Sequence, residues 1–218
     1  MKFLINSLVL LGVSLSAIAQ QQPQLYNLPT PFERYSHYHL TVRGGAAIPM
    51  GPFSDAYIDK STIKNYSLAL DWIFQKPVSI GVEVGKTFFS QKMPRALYNL
   101  GGQEVSAVQT RTLDMMPIQG VASYYFAGTN APIRPYVQLA AGANLLDYTL
   151  YYGNLANQQQ SVKLTYGAAA GAKFLFKKDG NFGADVRVKY NQTSLNYDYV
   201  DKGVSQLNAT VGLFYRWW

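Results

Sequence analysis

The chain has no cysteine, which excludes disulfide frameworks, thiolate zinc sites, iron–sulfur clusters and a lipid-modified anchor cysteine together. Histidine is almost missing too: His37 and His39 are the only two. Charged residues make up 14% of the chain, well below the roughly 25% usual in soluble domains. Beyond residue 19 no apolar run reaches the length of a transmembrane helix. If the mature chain crosses a membrane, it must cross as strands. Aromatic residues, by contrast, are abundant: they also make up 14%, with 17 Tyr. Few charges, many aromatics and frequent glycine suit a wall with one side turned to lipid.

The N-terminus reads as an export signal. Met1-Lys2 is a short basic head, Phe3–Leu15 an apolar stretch, and Ala17-Ile18-Ala19 an A-x-A cleavage site. Cleavage between Ala19 and Gln20 is expected, so residues 1–19 are set aside as a signal peptide. Residues 20–37, rich in Gln and Pro near their start, predict an extended periplasmic tail. Residues 38–218 are left for a single barrel domain. The formal net charge of +7 falls by one when Lys2 is removed. An exported chain rarely meets nucleic acid, so the partners this charge suggests are anionic lipid headgroups and lipopolysaccharide phosphates. Simple solubility and counter-charge inside a barrel account for it equally well.

From residue 38 on, apolar and polar residues alternate with a period of two, the signature of half-exposed strands. Phe182, Ala184, Val186, Val188 and Tyr190 alternate with Gly183, Asp185, Arg187, Lys189 and Asn191. Leu207, Ala209, Val211, Leu213, Tyr215 and Trp217 alternate with Gln206, Asn208, Thr210, Gly212, Phe214 and Arg216. The same reading fits segments around Val42, Leu70, Val82, Leu139 and Ala168. Val108–Phe126 is less regular. Its phase before Pro117 does not match the phase after it, which predicts a bulge or slip there. The total is about eight strands, the smallest common barrel: an all-β, antiparallel, up-and-down transmembrane barrel.

The connections alternate in length. Short ones fall at 75–77, 128–133 and 177–181, and longer ones at 49–62, 91–107, 153–161 and 194–203. Barrels of this class keep short turns in the periplasm and long loops outside. Trp72, Phe74, Tyr124, Phe126, Phe174, Phe176, Phe182, Tyr215 and Trp217 gather near the short turns. Tyr66, Phe88, Tyr148, Tyr166 and Tyr190 lie toward the other end. Two such bands are expected of interfacial girdles.

Two stretches resemble the small outer-membrane β-barrel family, the OmpA/OmpX-like barrels. Gly44–Phe53 is similar to that family's glycine-rich first strand with its Pro-x-Gly-x-Phe exit. Thr210–Trp218 is similar to its C-terminal assembly signal, the matching positions being Thr210, Gly212, Tyr215 and Trp217, with Trp218 extra. The resemblance implies residence in the outer membrane of a diderm bacterium. It also implies that the barrel assembly machinery is a partner during insertion.

The residues expected to face the lumen are Arg43, Asp71, Glu83, Lys163, Lys173, Asp185, Arg187, Lys189 and Arg216. This set reads either as an anion-favouring conduit or as a salt-bridged plug. The plug is favoured, because eight strands leave an interior just wide enough for side chains to fill and buried charges survive only when paired. His37 and His39 share a strand face, so a metal site is conceivable, but no third ligand lies close in sequence. They also sit at the wrong end for outer-leaflet hydrolase chemistry. No cofactor, metal or catalytic set is therefore expected. The leading expectation is a non-enzymatic outer-membrane barrel serving as a structural, binding or accessory subunit, with another outer-membrane or periplasmic protein as a partner. A narrow porin and a lipid-modifying enzyme are the alternatives.

Overall fold

The computed structural model describes residues 29–100, 103–152, 155–195 and 203–218. Its strands are β1 (His37–Met50), β2 (Thr62–Ile73), β3 (Val78–Leu100), β4 (Gln103–Tyr125), β5 (Ile133–Tyr152), β6 (Leu155–Leu175), β7 (Phe182–Thr193) and β8 (Val204–Trp217). All eight pair antiparallel in chain order, and β8 returns to β1 to close the barrel. Segments 74–77, 126–132 and 176–181 join strands at one rim, the turn end. The opposite rim is the loop end.

Alternation decides which side faces what. Leu40, Val42, Leu68, Ile80, Val82, Leu139, Leu164, Val186 and Leu213 point outward and are exposed, Leu164 to 74%. Their neighbours Thr41, Arg43, Glu83, Gln138, Asp185 and Arg187 point inward and are buried. An apolar skin around a charged interior inverts a soluble protein and is stable only where hydrocarbon surrounds it. No helix among the described residues is long and apolar enough to cross a membrane.

Pro117 causes no slip. The β4–β5 ladder runs without a break from Gln109↔Tyr152 to Tyr125↔Tyr136. The irregularities lie elsewhere, between Gly45 and Ala47 on β1 and between Lys92 and Arg95 on β3. The apparent change of phase has a different cause. Toward the loop end Leu113 and Met115 face inward and Thr112 and Asp114 outward, so polarity inverts while geometry does not. β5 inverts in the same way, with Leu146, Tyr148 and Leu150 buried inside. Here water, not lipid, surrounds the wall, and the inner face needs an apolar filling of its own.

That filling comes from the β1–β2 connection. Gly51 (φ +60°) takes a backbone conformation that L side chains rarely adopt, and helix α2 (Pro52–Ala56) then turns into the barrel. Phe53, Tyr57 and Ile58 are fully or almost fully buried against Phe89, Leu113, Met115 and Leu150. The Tyr57 ring stacks on Tyr148 at 4.6 Å, and its hydroxyl donates to the Thr112 carbonyl at 3.0 Å. Tyr148, expected in the outer aromatic girdle, therefore belongs to the plug.

The expected long loops at 91–107 and 153–161 are mostly strand. β3 and β4 have 23 residues each, β5 has 20 and β6 has 21, against the roughly 9–11 needed to cross a bilayer. The β2–β3 ladder stops at Asn65↔Thr87, and the β6–β7 ladder at Thr165↔Thr193. Beyond that level β3–β6 stand as a four-stranded sheet, with neither flank paired to another strand among the described residues.

The described part of the N-terminal segment is not an extended tail. From Thr30 it folds as helix α1, a single turn (Pro31–Arg34), across the turn end. Phe32 is buried there, 5.2 Å from Trp218 and 5.3 Å from His37 between ring centroids. Gln75 donates to the Arg34 carbonyl (2.6 Å), and Asn130 to the Thr30 hydroxyl (2.5 Å). The expected cleavage site, Ala19 and Gln20, lies outside the described residues.

Phe53→Ala would leave a cavity under α2 and is expected to cost about 3–5 kcal/mol. Hydrogen exchange should show residues 51–61 losing protection while the β1–β8 ladder keeps it.

Candidate functional site

The interior is organised by one row of residues at the closure seam. Arg43 on β1, Gly212 on β8 and Asp185 on β7 are successive cross-strand partners. Gly212 has no side chain, so the Arg43 guanidinium passes over it and its Nε donates to Asp185 Oδ2. A Cβ at position 212 would lie 2.2 Å from the Val42 carbonyl oxygen and 2.8 Å from Arg43 Cγ. Tyr136 completes the Asp185 carboxylate with a hydrogen bond of 3.0 Å.

Glu83 on β3 is the second hub. It accepts from Arg187 Nη1 and, at 3.2 Å, from Nη2; Lys189 Nζ lies at 2.8 Å and Arg43 Nη1 at 3.4 Å. Gln138 accepts a further hydrogen bond from Arg187 at 3.0 Å, and Gln119 one from Lys189 at 2.6 Å. Charged side chains of this kind are buried at low cost only when such partners are in place. Toward the loop end a neutral layer follows: Asn65 bonds to Asn208 and Thr87, and Asn144 to Thr193. Toward the turn end Lys173 lies 3.5 Å from Asp71 and 2.9 Å from His39 Nδ1.

The structure thus brings Arg43, Glu83, Asp185, Arg187 and Lys189 into one cluster and places Asp71 with Lys173 below it. Arg216 is separate. It clasps the turn end through the carbonyls of Gly180 (2.7 Å) and Thr129 (3.1 Å) and the side chain of Asn130 (3.1 Å). Lys163 shares the inward parity but is only half-buried above the cluster, with no carboxylate in ion-pairing range among the described residues. Thr210 and Gly212 face inward, Tyr215 and Trp217 outward. His37 and His39 share a face, with rings 5.1 Å apart, but the Lys173 ammonium occupies His39 Nδ1. No group of three metal-ligating residues exists among the described residues.

Sequence reading placed Gln138 on the inward series of its strand but missed Gln119, Tyr136 and Arg134. These three have inward parity on β4 or β5, and extending the alternation in both directions with neutral residues counted would have found them. Arg134 lay next to a connection read as ending at Ile133.

This geometry sits in a chain whose residues 60–217 match the family described as Opacity family porin protein. The chain belongs to the Opacity family. It is an outer-membrane β-barrel of that family. A relative, Protein opa of Haemophilus influenzae, is 33% identical over 122 residues, which cover 54% of this chain and 97% of the relative. Among solved structures, neisserial surface protein A superposes with a TM-score of 0.54 at 12% identity, over 82% of this chain and 96% of that one. At that identity the likeness is one of fold. Ail of Yersinia pestis gives 0.48 at 16% identity, over 84% and 97%.

Arg43→Met leaves Asp185 buried with the Tyr136 hydroxyl alone and is expected to cost about 3–5 kcal/mol, most of it recovered in Arg43→Met/Asp185→Asn. Urea unfolding of the three proteins in detergent checks this. Gly212→Val is expected to block refolding into pure lipid vesicles, where no assembly machinery is present. Normal refolding there, with failure only in cells, would make Gly212 a recognition element and not a packing one.

Proposed function

We propose that this Opacity-family barrel is a non-conducting, non-enzymatic surface protein that works as a binding or accessory subunit through its projecting β3–β6 sheet. One observation carries the reading: among the described residues side chains fill the lumen, while the part of the wall that outreaches the bilayer keeps two flanks paired to no other strand. Two lumen cavities among the described residues are small, about 20 Å³ beside Glu83 and about 10 Å³ beside Arg134. Such spaces support a plug over an anion conduit. With short turns in the periplasm, the projecting sheet faces the exterior.

An unpaired strand edge offers a row of backbone donors and acceptors, and extended segments of a partner protein bind such edges by strand addition. The β6 flank, residues 156–162, is exposed for most of its length and lined by Asn157 and Gln158–Gln160. Gln158 and Gln160 donate to Asp147 on β5 (2.7 and 3.0 Å), so the sheet is braced where its edge is free. Outer-membrane lipid and lipopolysaccharide are the partners of the wall itself. At its upper rim Lys64 lies 5.0 Å over the Phe88 ring and Lys86 pairs with Asp114 at 3.0 Å, cations suited to anionic headgroups.

Purified protein in planar bilayers is expected to show no steady conductance. A photo-cross-linker at Gln159, displayed on whole cells, is expected to capture discrete protein adducts, and one at Leu139 in the lipid-facing wall only lipid. Steady channel currents, or identical adducts at both positions, would overturn the proposal.

A further inference from the structure

The small cavity at the turn end is bounded by hydrogen-bond donors and cations. His39, Arg134, Lys173 and Arg216 line it, with Phe214 as an apolar wall. Arg134 is 4% exposed; its guanidinium stacks on the Tyr125 ring at 3.7 Å and its Nε donates to the Ala127 carbonyl at 3.2 Å. Its Nη1 is buried and finds no acceptor among the described residues. The His39 ring, stacked on Phe214 at 5.1 Å, adds a second such donor. The Lys173 ammonium can only donate, so His39 Nδ1 accepts from it at 2.9 Å and Nε2 carries the ring hydrogen. That Nε2 is also buried without an acceptor among the described residues.

The charge of Arg134 is left unbalanced. Asp71 sits 3.5 Å from Lys173. Arg216 bonds to Gly180, Thr129 and Asn130 and feels Asp179 and Glu33 from beyond ion-pairing range, whereas Arg134 has no carboxylate acting on it among the described residues. A buried cation without a counter-charge is costly, and so is an unsatisfied buried N–H. A neutral water would satisfy donors without supplying charge. An anion does both, and a cavity with about 10 Å³ open to water-sized centres suits a monatomic ion better than phosphate, sulfate or a carboxylate.

We propose that this cavity is a binding site for a single halide ion, chloride under ordinary conditions. The ion accepts from Arg134 Nη1 and His39 Nε2 and offsets the excess positive charge beneath α1. It thereby holds together the parts that close the turn end, since Arg216 ties the 126–132 and 176–181 connections to the same cavity.

The test uses the mature protein refolded in detergent and compares sodium chloride with sodium gluconate at equal ionic strength. The unfolding midpoint is expected to be about 5 °C higher in chloride or bromide. Arg134→Met should remove the difference, and Lys86→Met, far from the cavity, should keep it. Crystals grown in bromide should show an anomalous peak within hydrogen-bond distance of Arg134 and His39. Equal midpoints in the two salts together with a bromide map empty at that position would overturn the proposal. If Arg134→Met does not fold, the wild-type salt comparison and the bromide map decide it alone.

Discussion

The ion pair between Arg43 and Asp185 across the bare backbone of Gly212 is the contact on which the closure of the barrel depends. It lies where β8 returns to β1, the one junction no hairpin specifies. Register at such a seam has to come from side chains. A slip of one residue would turn Arg43 into hydrocarbon and Val42 into the charged lumen, because strand faces alternate. A slip of two would place Thr210 or Phe214 between Arg43 and Asp185 and break the pair. The glycine, the arginine and the aspartate are thus one device, and its failure modes differ by several kcal/mol from its native state.

The interior then changes character with what lies outside the wall. Where lipid surrounds the barrel, the outer face takes the apolar residues and the lumen must be filled by polar ones, which forces the Glu83 hub and its amide partners. Where the strands rise into water, the outer face carries Thr112, Asp114 and Asp147 and the inner face Leu113, Met115, Leu146 and Tyr148. One chain geometry serves both regimes with no break at Pro117. The level at which polarity inverts marks the edge of the hydrocarbon more directly than strand length does.

That inversion also explains what could be read from the sequence and what could not. Strand number, the inward parity of Arg43, Glu83, Asp185, Arg187 and Lys189, and the turn positions follow from period-two alternation alone. Tyr148 and the segment before Pro117 misled because alternation reports polarity against an assumed lipid exterior, and there the exterior is water. The reach of β3–β6 was hidden for the same reason: polar strands in water look like loops. The helical turn at Pro31–Arg34 has a local signal that went unread, the Thr30–Glu33 capping box with Pro31 at the first helical position, but its docking on Trp218 and Asn130 joins residues a hundred or more positions apart, which no local pattern carries. The resemblance to small outer-membrane barrels pointed to the architecture, while membership of the Opacity family came from the chain as a whole.

With the lumen filled, the proposed binding role falls to the outside surface, and the two flanks of the projecting sheet, unpaired among the described residues, are not equivalent. The β3 flank carries Lys92, Pro94 and Arg95 beside a bulge, all exposed apart from the bulge's Met93. Charge, proline and bulging are the means by which sheets prevent edge pairing. The β6 flank has neither proline nor bulge over 156–162, and its glutamine amides are held in place by Asp147. On the proposed binding role, an unguarded edge beside a guarded one selects the side: a partner strand would add to β6, and the guarded β3 flank would leave one partner per barrel.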